Sequence, residues 1–385
     1  MEYLKLFENH TQYESFVGGG MLRPNVSHCV SENDVHYNPF SWAEEYLTFV
    51  AKENCTFTFT QRNGYAISYS IDNGKTWEVP ASTTHQTVSA GSKVIWKSAD
   101  IMNTTNSTNG GLLRVGSTGG IGTFASTGHF EVQGNIMSLI RGDSFANADE
   151  LINGKEFIEL FKGCTGLTSA ENLILPATTL IDNCYKYMFS DCTSLTKAPE
   201  LPATTLAREC YAYMFDDCTN LTTAPELPAT TLANYCYQGM FRDCTSLTTA
   251  PALPATELAN WCYEYMFRGC TSLVTTPELP ATTLAIGCYS TMFQDCTSLT
   301  TAPELSATTL INNCYYYMFD GCTSLNYIKT MFTTTPSGSS PNYYTTDWVN
   351  GVAASGTFVK NSAATWTTTG VNGIPEGWTI ETVTA

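Results

Sequence analysis

The sequence predicts a mixed α/β chain. A curved solenoid of short repeats is preceded by an all-β domain and closed by a small β-like cap. Three observations carry this reading. A 26-residue motif recurs six times without gaps, aligning Cys184, Cys210, Cys236, Cys262, Cys288 and Cys314 in one column and Cys192, Cys218, Cys244, Cys270, Cys296 and Cys322 in another. Upstream, CTFTFTQ and YAISYSID alternate in polarity and are β-branched or aromatic, with RNG and DNG as turns. Downstream, the loop-like TTTPSGSSPN leads into short β-like pieces around Trp348, Trp366 and Trp378.

Four regions follow: an N-terminal anchoring segment at 1–49, the all-β domain at 50–149, the repeats at 150–332 and the cap at 333–385. The anchoring segment is irregular, with the run Gly18, Gly19, Gly20. VIWKSADI, GTFAST and HFEVQGNIMSLI supply further strands of the β domain. A partial copy, FIELFKGCTGL with Cys164, opens the repeats. Cys164 and Cys192 are 28 apart, so this first copy carries a two-residue insertion, as terminal repeats often do.

Self-similarity at this period is the mark of a solenoid. In TLANYCYQGMFRDC, apolar residues fall at Leu232, Cys236, Met240 and Cys244, and these i+4 steps predict a helix face capped by Thr230 or Thr231. SLTTAPEL predicts a brief extended segment ended by proline, with the Leu247 column inward. Strands stack at roughly 4.7–4.9 Å and helices at roughly 8–10 Å, so the strand side would be concave and the helix side convex.

The cysteines read as buried apolar fillers. The two of one copy are eight residues apart, about 12 Å on a helix and beyond disulfide reach. Helix spacing would likewise separate those of one column, and neither CxxC nor a partner histidine occurs. The Tyr185 and Phe189 columns do not vary between copies and are assigned to packing between coils. Two columns vary, Asn183, Glu209, Tyr235, Trp261, Gly287, Asn313 and Tyr187, Tyr213, Gly239, Tyr265, Thr291, Tyr317, and these are assigned to the exposed surface. Within them Tyr187, Tyr213, Tyr235, Trp261, Tyr265 and Tyr317 are the candidate binding residues; Trp261 and Tyr265 could form an aromatic pair that stacks on a sugar or protein, or lie partly buried in the convex face.

The formal net charge of −17, with 14% charged and 43% hydrophobic residues, argues against nucleic-acid binding and against disorder. No stretch reaches the roughly 18 apolar residues of a membrane helix, and the opening MEYLKLFENHTQYESF lacks a secretory apolar core. Either export by that route does not occur or a signal has been removed. SIDNGKTW, Ser70 to Trp77, matches the Asp-box, a hairpin turn with Trp77 packed beneath. GSTGGIGT lacks the Lys-Ser/Thr of a phosphate loop. His10, His28, His36, His85 and His129 are scattered outside the repeats. No catalytic residue, metal site or cofactor is assigned.

The pattern LPATTLxxxCYxxMFxxCTSLTTAPE, read here as MFRDCTSL at its centre, resembles the BspA-like (Treponema-type) leucine-rich repeats abundant in surface proteins of Bacteroidales. The period is slightly longer than the common one, with the extra residues around LPATTL, and the resemblance covers about 180 residues. HFEVQGNIMSLI and GIPEGWTI look like segments that flank such repeats. LRPNVSHCVSENDVHYNP resembles the openings of structural proteins of Bacteroidales phages and prophages. The resemblance implies a non-enzymatic display or adhesion protein: an exposed virion protein, fibre or decoration, assembled in the host cytoplasm, or a secreted bacterial adhesin. A glycan-processing enzyme rests on the single Asp-box. The implied partners are other virion or surface proteins at the N-terminal region and a host protein or glycan at the repeats, with no membrane insertion and with homo-oligomer formation left open.

Overall fold

The computed structural model describes residues 45–62, 65–79, 83–99, 120–151 and 154–384. The expected anchoring segment, apart from its last residues, lies outside the described residues, as do Cys29, His10, His28, His36 and the first half of the glycine-rich stretch GSTGGIGT.

Strands β1 (Leu47–Ala51), β2 (Cys55–Gln61), β3 (Ile67–Ser70), β4 (Thr83–Val88), β5 (Lys93–Ser98), β6 (Gly122–Ser126) and β7 (Phe130–Asn135) precede the repeats. A single turn of helix, α1 (Ser138–Arg141), follows, and β8 (Leu167–Ile174) comes next. They form two sheets, ordered β3-β5-β1-β7-β8 and β4-β2-β6. Alternation puts Phe57 and Phe59 of β2 inward. Phe49 of the first sheet meets Phe57 and Phe124 of the second at centroid distances of 5.2 and 4.8 Å, so the sheets close on an aromatic core.

Each sheet then runs on into one wall of the repeats. On one side β7 pairs in parallel with β8, and Ser169 of β8 bridges to Lys197 in the next coil. On the other, the amide of Phe124 in β6 donates to the Leu160 carbonyl at 2.7 Å. Phe124 stacks on Phe161, and Phe161 on Phe189 at 5.4 Å, so one ladder of phenylalanines passes from sandwich to coils without a break.

The expected helix is absent: α1 is the one α-helix among the described residues, and each copy holds a run of consecutive turns instead. In the third copy the amides of Cys236, Gln238, Met240, Arg242 and Cys244 close back on the carbonyls of Ala233, Tyr235, Tyr237, Gly239 and Phe241 at 3.1–3.2 Å. The intervening amides of Tyr235, Tyr237, Gly239, Phe241 and Asp243 donate forward to the next copy at 2.7–3.1 Å. Every fourth residue is left-handed, with φ of 59° at Tyr235, 57° at Gly239 and 58° at Asp243. An α-helix would spend all these amides internally and leave none for the neighbouring coil. A strict four-residue period also drifts by about 40° per step on a helix, whereas one left-handed residue in four returns the chain to the same face. Cys236 and Tyr237 point in, Gln238 faces out, Met240 and Phe241 point in, and Arg242 and Asp243 face out.

The curvature argument loses its basis with the helix, because this wall too is spaced by backbone hydrogen bonds. Tyr185, Tyr211, Tyr237, Tyr263, Tyr289 and Tyr315 stack ring on ring at 5.7–6.1 Å. The SLTTAPEL segments form isolated bridges rather than strands, as between Thr249 and Thr275. What the structure carries is therefore mostly strand and turn.

After β9 (Tyr327–Thr330), Tyr343 to Asn350 takes the place of a further coil: Phe319 donates to the Trp348 carbonyl at 2.8 Å and Gly321 to that of Asn350 at 2.9 Å. Short β10 (Gly338–Ser339) and β11 (Asn342–Tyr343) pair with each other. Strands β12 (Thr357–Asn361) and β13 (Thr379–Val383) extend β9 in parallel. Trp348, Trp366 and Trp378 are all buried, and their indole N–H groups donate to the carbonyls of Gly373, Phe332 and Ala353. The apolar end of the last coil is covered by these rings.

Candidate binding face

The turn runs place the Asn183 and Tyr187 columns side by side. All six candidate binding residues fall in them, and every one is left-handed, with φ between 51° and 59°. A bulky residue in this conformation costs about 1–2 kcal/mol, offset here by the forward hydrogen bond of its own amide, as from Tyr265 to the Ser290 carbonyl at 3.0 Å. The six are half-buried rather than fully exposed. Tyr187 and Tyr213 stack at 4.9 Å, and Tyr235 and Trp261 at 6.4 Å. Tyr317 packs edge-on against Tyr316. The ladders break where small residues fall: Gly239 and Thr291 flank Tyr265, and Gly287 follows Trp261.

Cations lie among these rings. The Lys162 amine sits 4.7 Å from the Tyr187 centroid and the Arg242 guanidinium 5.2 Å from that of Tyr213. Lys186 pairs with Glu209, and Arg242 grips Asp216 with two bonds of 2.6 and 2.7 Å. Burial pushes the Asp216 carboxyl up to about 6 against the opposite pull of Arg242. Glu264, 8% exposed, accepts from Gln238 Nε2 at 2.6 Å, and burial raises it to about 7. Asp216, Asp217 and Asp243 bring carboxylate oxygens within 4.8 Å of one another, a grouping the sequence reading missed. Its signal was the Asp/Gly column Asp191, Asp217, Asp243, Gly269, Asp295, Gly321, which also marks the left-handed positions.

The fourteen described cysteines are free and buried. The reason given from sequence fails, because coils at strand spacing put same-column residues within disulfide range. The sulfurs are directed elsewhere. Cys192, Cys218, Cys244, Cys270, Cys296 and Cys322 donate to the carbonyls of Phe161, Phe189, Phe215, Phe241, Phe267 and Phe293 at 2.9–3.1 Å. Burial holds these thiols well above the usual range, as for Cys244.

The Asp-box is a closed turn. Ser70 Oγ accepts from the Gly74 amide at 2.8 Å, and Asp72 takes the amide and hydroxyl of Thr76 at 2.9 and 2.7 Å. Trp77 lies under the Lys97 amine at 4.2 Å. These groups are consumed in holding the hairpin.

An inward Leu, Phe and Cys in each short coil, stacked coil upon coil, define a leucine-rich repeat. Residues 158–265 and 259–345 match the family of the BspA type leucine rich repeat region, in six copies, and the repeat region of this chain belongs to that family. Among curated proteins and among solved structures, no match to the chain was found. Repeats of this type are typically non-enzymatic binding modules, in proteins often found at the surface or secreted. No helix among the described residues is long and apolar enough to cross a membrane.

Proposed function

We propose that this chain is a non-catalytic display protein whose repeats form a solenoid and attach to a host protein or glycan through the aromatic outward columns. One observation carries the reading. The inward Cys, Tyr, Met, Phe and Leu columns are the same in every copy, while the two columns that hold Tyr187, Tyr213, Tyr235, Trp261, Tyr265 and Tyr317 vary. A scaffold held constant beneath a varied surface suits recognition, and half-buried aromatic rings offer contact area at low conformational cost.

For placement, the reading is an exposed virion protein, fibre or decoration, of a Bacteroidales phage, held to other virion proteins by the N-terminal region. The unpaired thiols favour it, since assembly in a reducing cytoplasm leaves them free. The repeat family itself favours a second reading, a bacterial cell-surface adhesin. Binding of the full chain to intact Bacteroidales cells tests the attachment role. Saturable binding that Trp261→Ala and Tyr235→Ala weaken supports it, and binding unchanged in both variants refutes it. Detection of the chain in purified virions, or in the surface-labelled fraction of cells, separates the two placements.

A further inference from the structure

One polar column reads Ser190, Asp216, Arg242, Arg268, Gln294, Asp320. Its members pair off along the stack. Arg242 reaches back to Asp216, and Gln294 reaches forward to Asp320 at 2.6 Å. Arg268 stands between an arginine and a glutamine that are both already engaged. Among the described residues it forms no ion pair, and its Nε is buried without a hydrogen-bond partner. Asp295 feels its charge but is not bonded to it. The other cations on this face, Lys162, Lys186, Arg208 and Arg242, all have carboxylate partners.

The same coil holds a ring on which no other ring stacks. Tyr187 and Tyr213 cover each other, but Tyr265 lies between Gly239 and Thr291, and among the described residues no aromatic ring stacks on it. The Arg268 amide bonds to the Tyr265 carbonyl at 3.1 Å, so the two residues stand on one turn. One turn further back in the coil, Trp261 is stacked on Tyr235 at 6.4 Å and lies across Gly287, so its faces are already covered. An arginine without a carboxylate partner, in the same coil as an unstacked ring, selects for one ligand chemistry: a ring with a stackable face and an anionic substituent.

We propose that Tyr265 and Arg268 form a subsite for an anionic sugar, with the pyranose face on the Tyr265 ring and its carboxylate or sulfate on Arg268. This rests on the binding reading above and names the ligand class for it. The test is a glycan array probed with the full chain. It carries uronic-acid, sialylated and sulfated oligosaccharides beside their neutral counterparts. Preference for the anionic sugars is expected, and the uronic and sulfated arms tell which anion is taken. Arg268→Gln and Tyr265→Ala should each cost about tenfold or more in affinity, while Lys197→Gln, whose partner Glu171 lies on the opposite wall, leaves it unchanged. Equal binding of neutral sugars, or anionic binding that survives Arg268→Gln, overturns the subsite and leaves the attachment role standing. Attachment to cells without binding of any arrayed sugar overturns it as well. Thermal unfolding of each variant alongside shows that it is folded.

Discussion

The indole of Trp261 lies across the backbone of Gly287, so closely that a Cβ at Gly287 would stand 2.1 Å from its Cε3. Gly287 also has a φ of 62°. The glycine of one coil thus makes room for the ring of the coil before it. Gly287→Ala should expel the indole and strain the backbone, lowering stability by about 1–2 kcal/mol. In Trp261→Ala/Gly287→Ala only the backbone cost should remain, so the two changes are not additive in denaturant unfolding. Strict additivity would place the ring elsewhere.

In far-UV circular dichroism the described residues should contribute β and turn signal with almost no helix, since α1, their one α-helix, is one turn long. A strong double minimum at helical wavelengths would restore the helix that the i+4 spacing suggested.

Glu264 supplies a pH dependence. Its folded pKa is raised from 4.5 to about 7 by burial, so the folded chain holds this proton more tightly than the unfolded chain. Stability therefore falls as pH rises from the unfolded value towards 7, by at most about 3 kcal/mol, and stays low above it. Asp216, raised to about 6, acts in the same direction. Glu264→Gln should flatten the loss between pH 5 and pH 8 without abolishing it. Equal slopes in both proteins would show that Glu264 is solvated.

How much of this was legible is clearest in TLANYCYQGMFRDC. Its apolar columns correctly named what is inside: Cys236, Met240, Phe241 and Cys244 are all fully buried. The period named the wrong backbone. Three successive steps of four residues lie as easily on nested turns as on a helix, and the deciding cue was the Asp/Gly column, which the apolar spacing leaves out of account. The pairing of Trp261 with Gly287, and the isolation of Arg268, depend on which side chains fall at the same height in neighbouring coils. They become visible only once the coils are known to stack at hydrogen-bond distance.

The thiols follow from the corrected geometry. Native protein should leave the thirteen cysteines from Cys164 to Cys322 unreactive to a thiol reagent, and denaturation should release all of them. Disulfides between coils, found by mass spectrometry of protein alkylated before denaturation, would contradict the hydrogen bonds to the Phe carbonyls.

Trp348 is fully buried against Tyr315, Phe319 and Phe332. Trp348→Ala should cost about 3–5 kcal/mol. Hydrogen exchange should locate the loss in the last coil, at the amides of Tyr317, Phe319 and Gly321 that donate into this segment. Loss confined to residues after 350 would make that segment a separate module.

The central claim is a division of labour, with inward columns holding the coils and outward aromatic residues meeting the ligand. The double variant Trp261→Ala/Tyr265→Ala tests it most directly, with cell binding and thermal unfolding measured on the same sample. The account predicts binding reduced about tenfold or more and a midpoint within a few degrees of the parent, because both rings are only half-buried. Retained binding with a collapsed midpoint would show these rings to be scaffold, and would contradict the account.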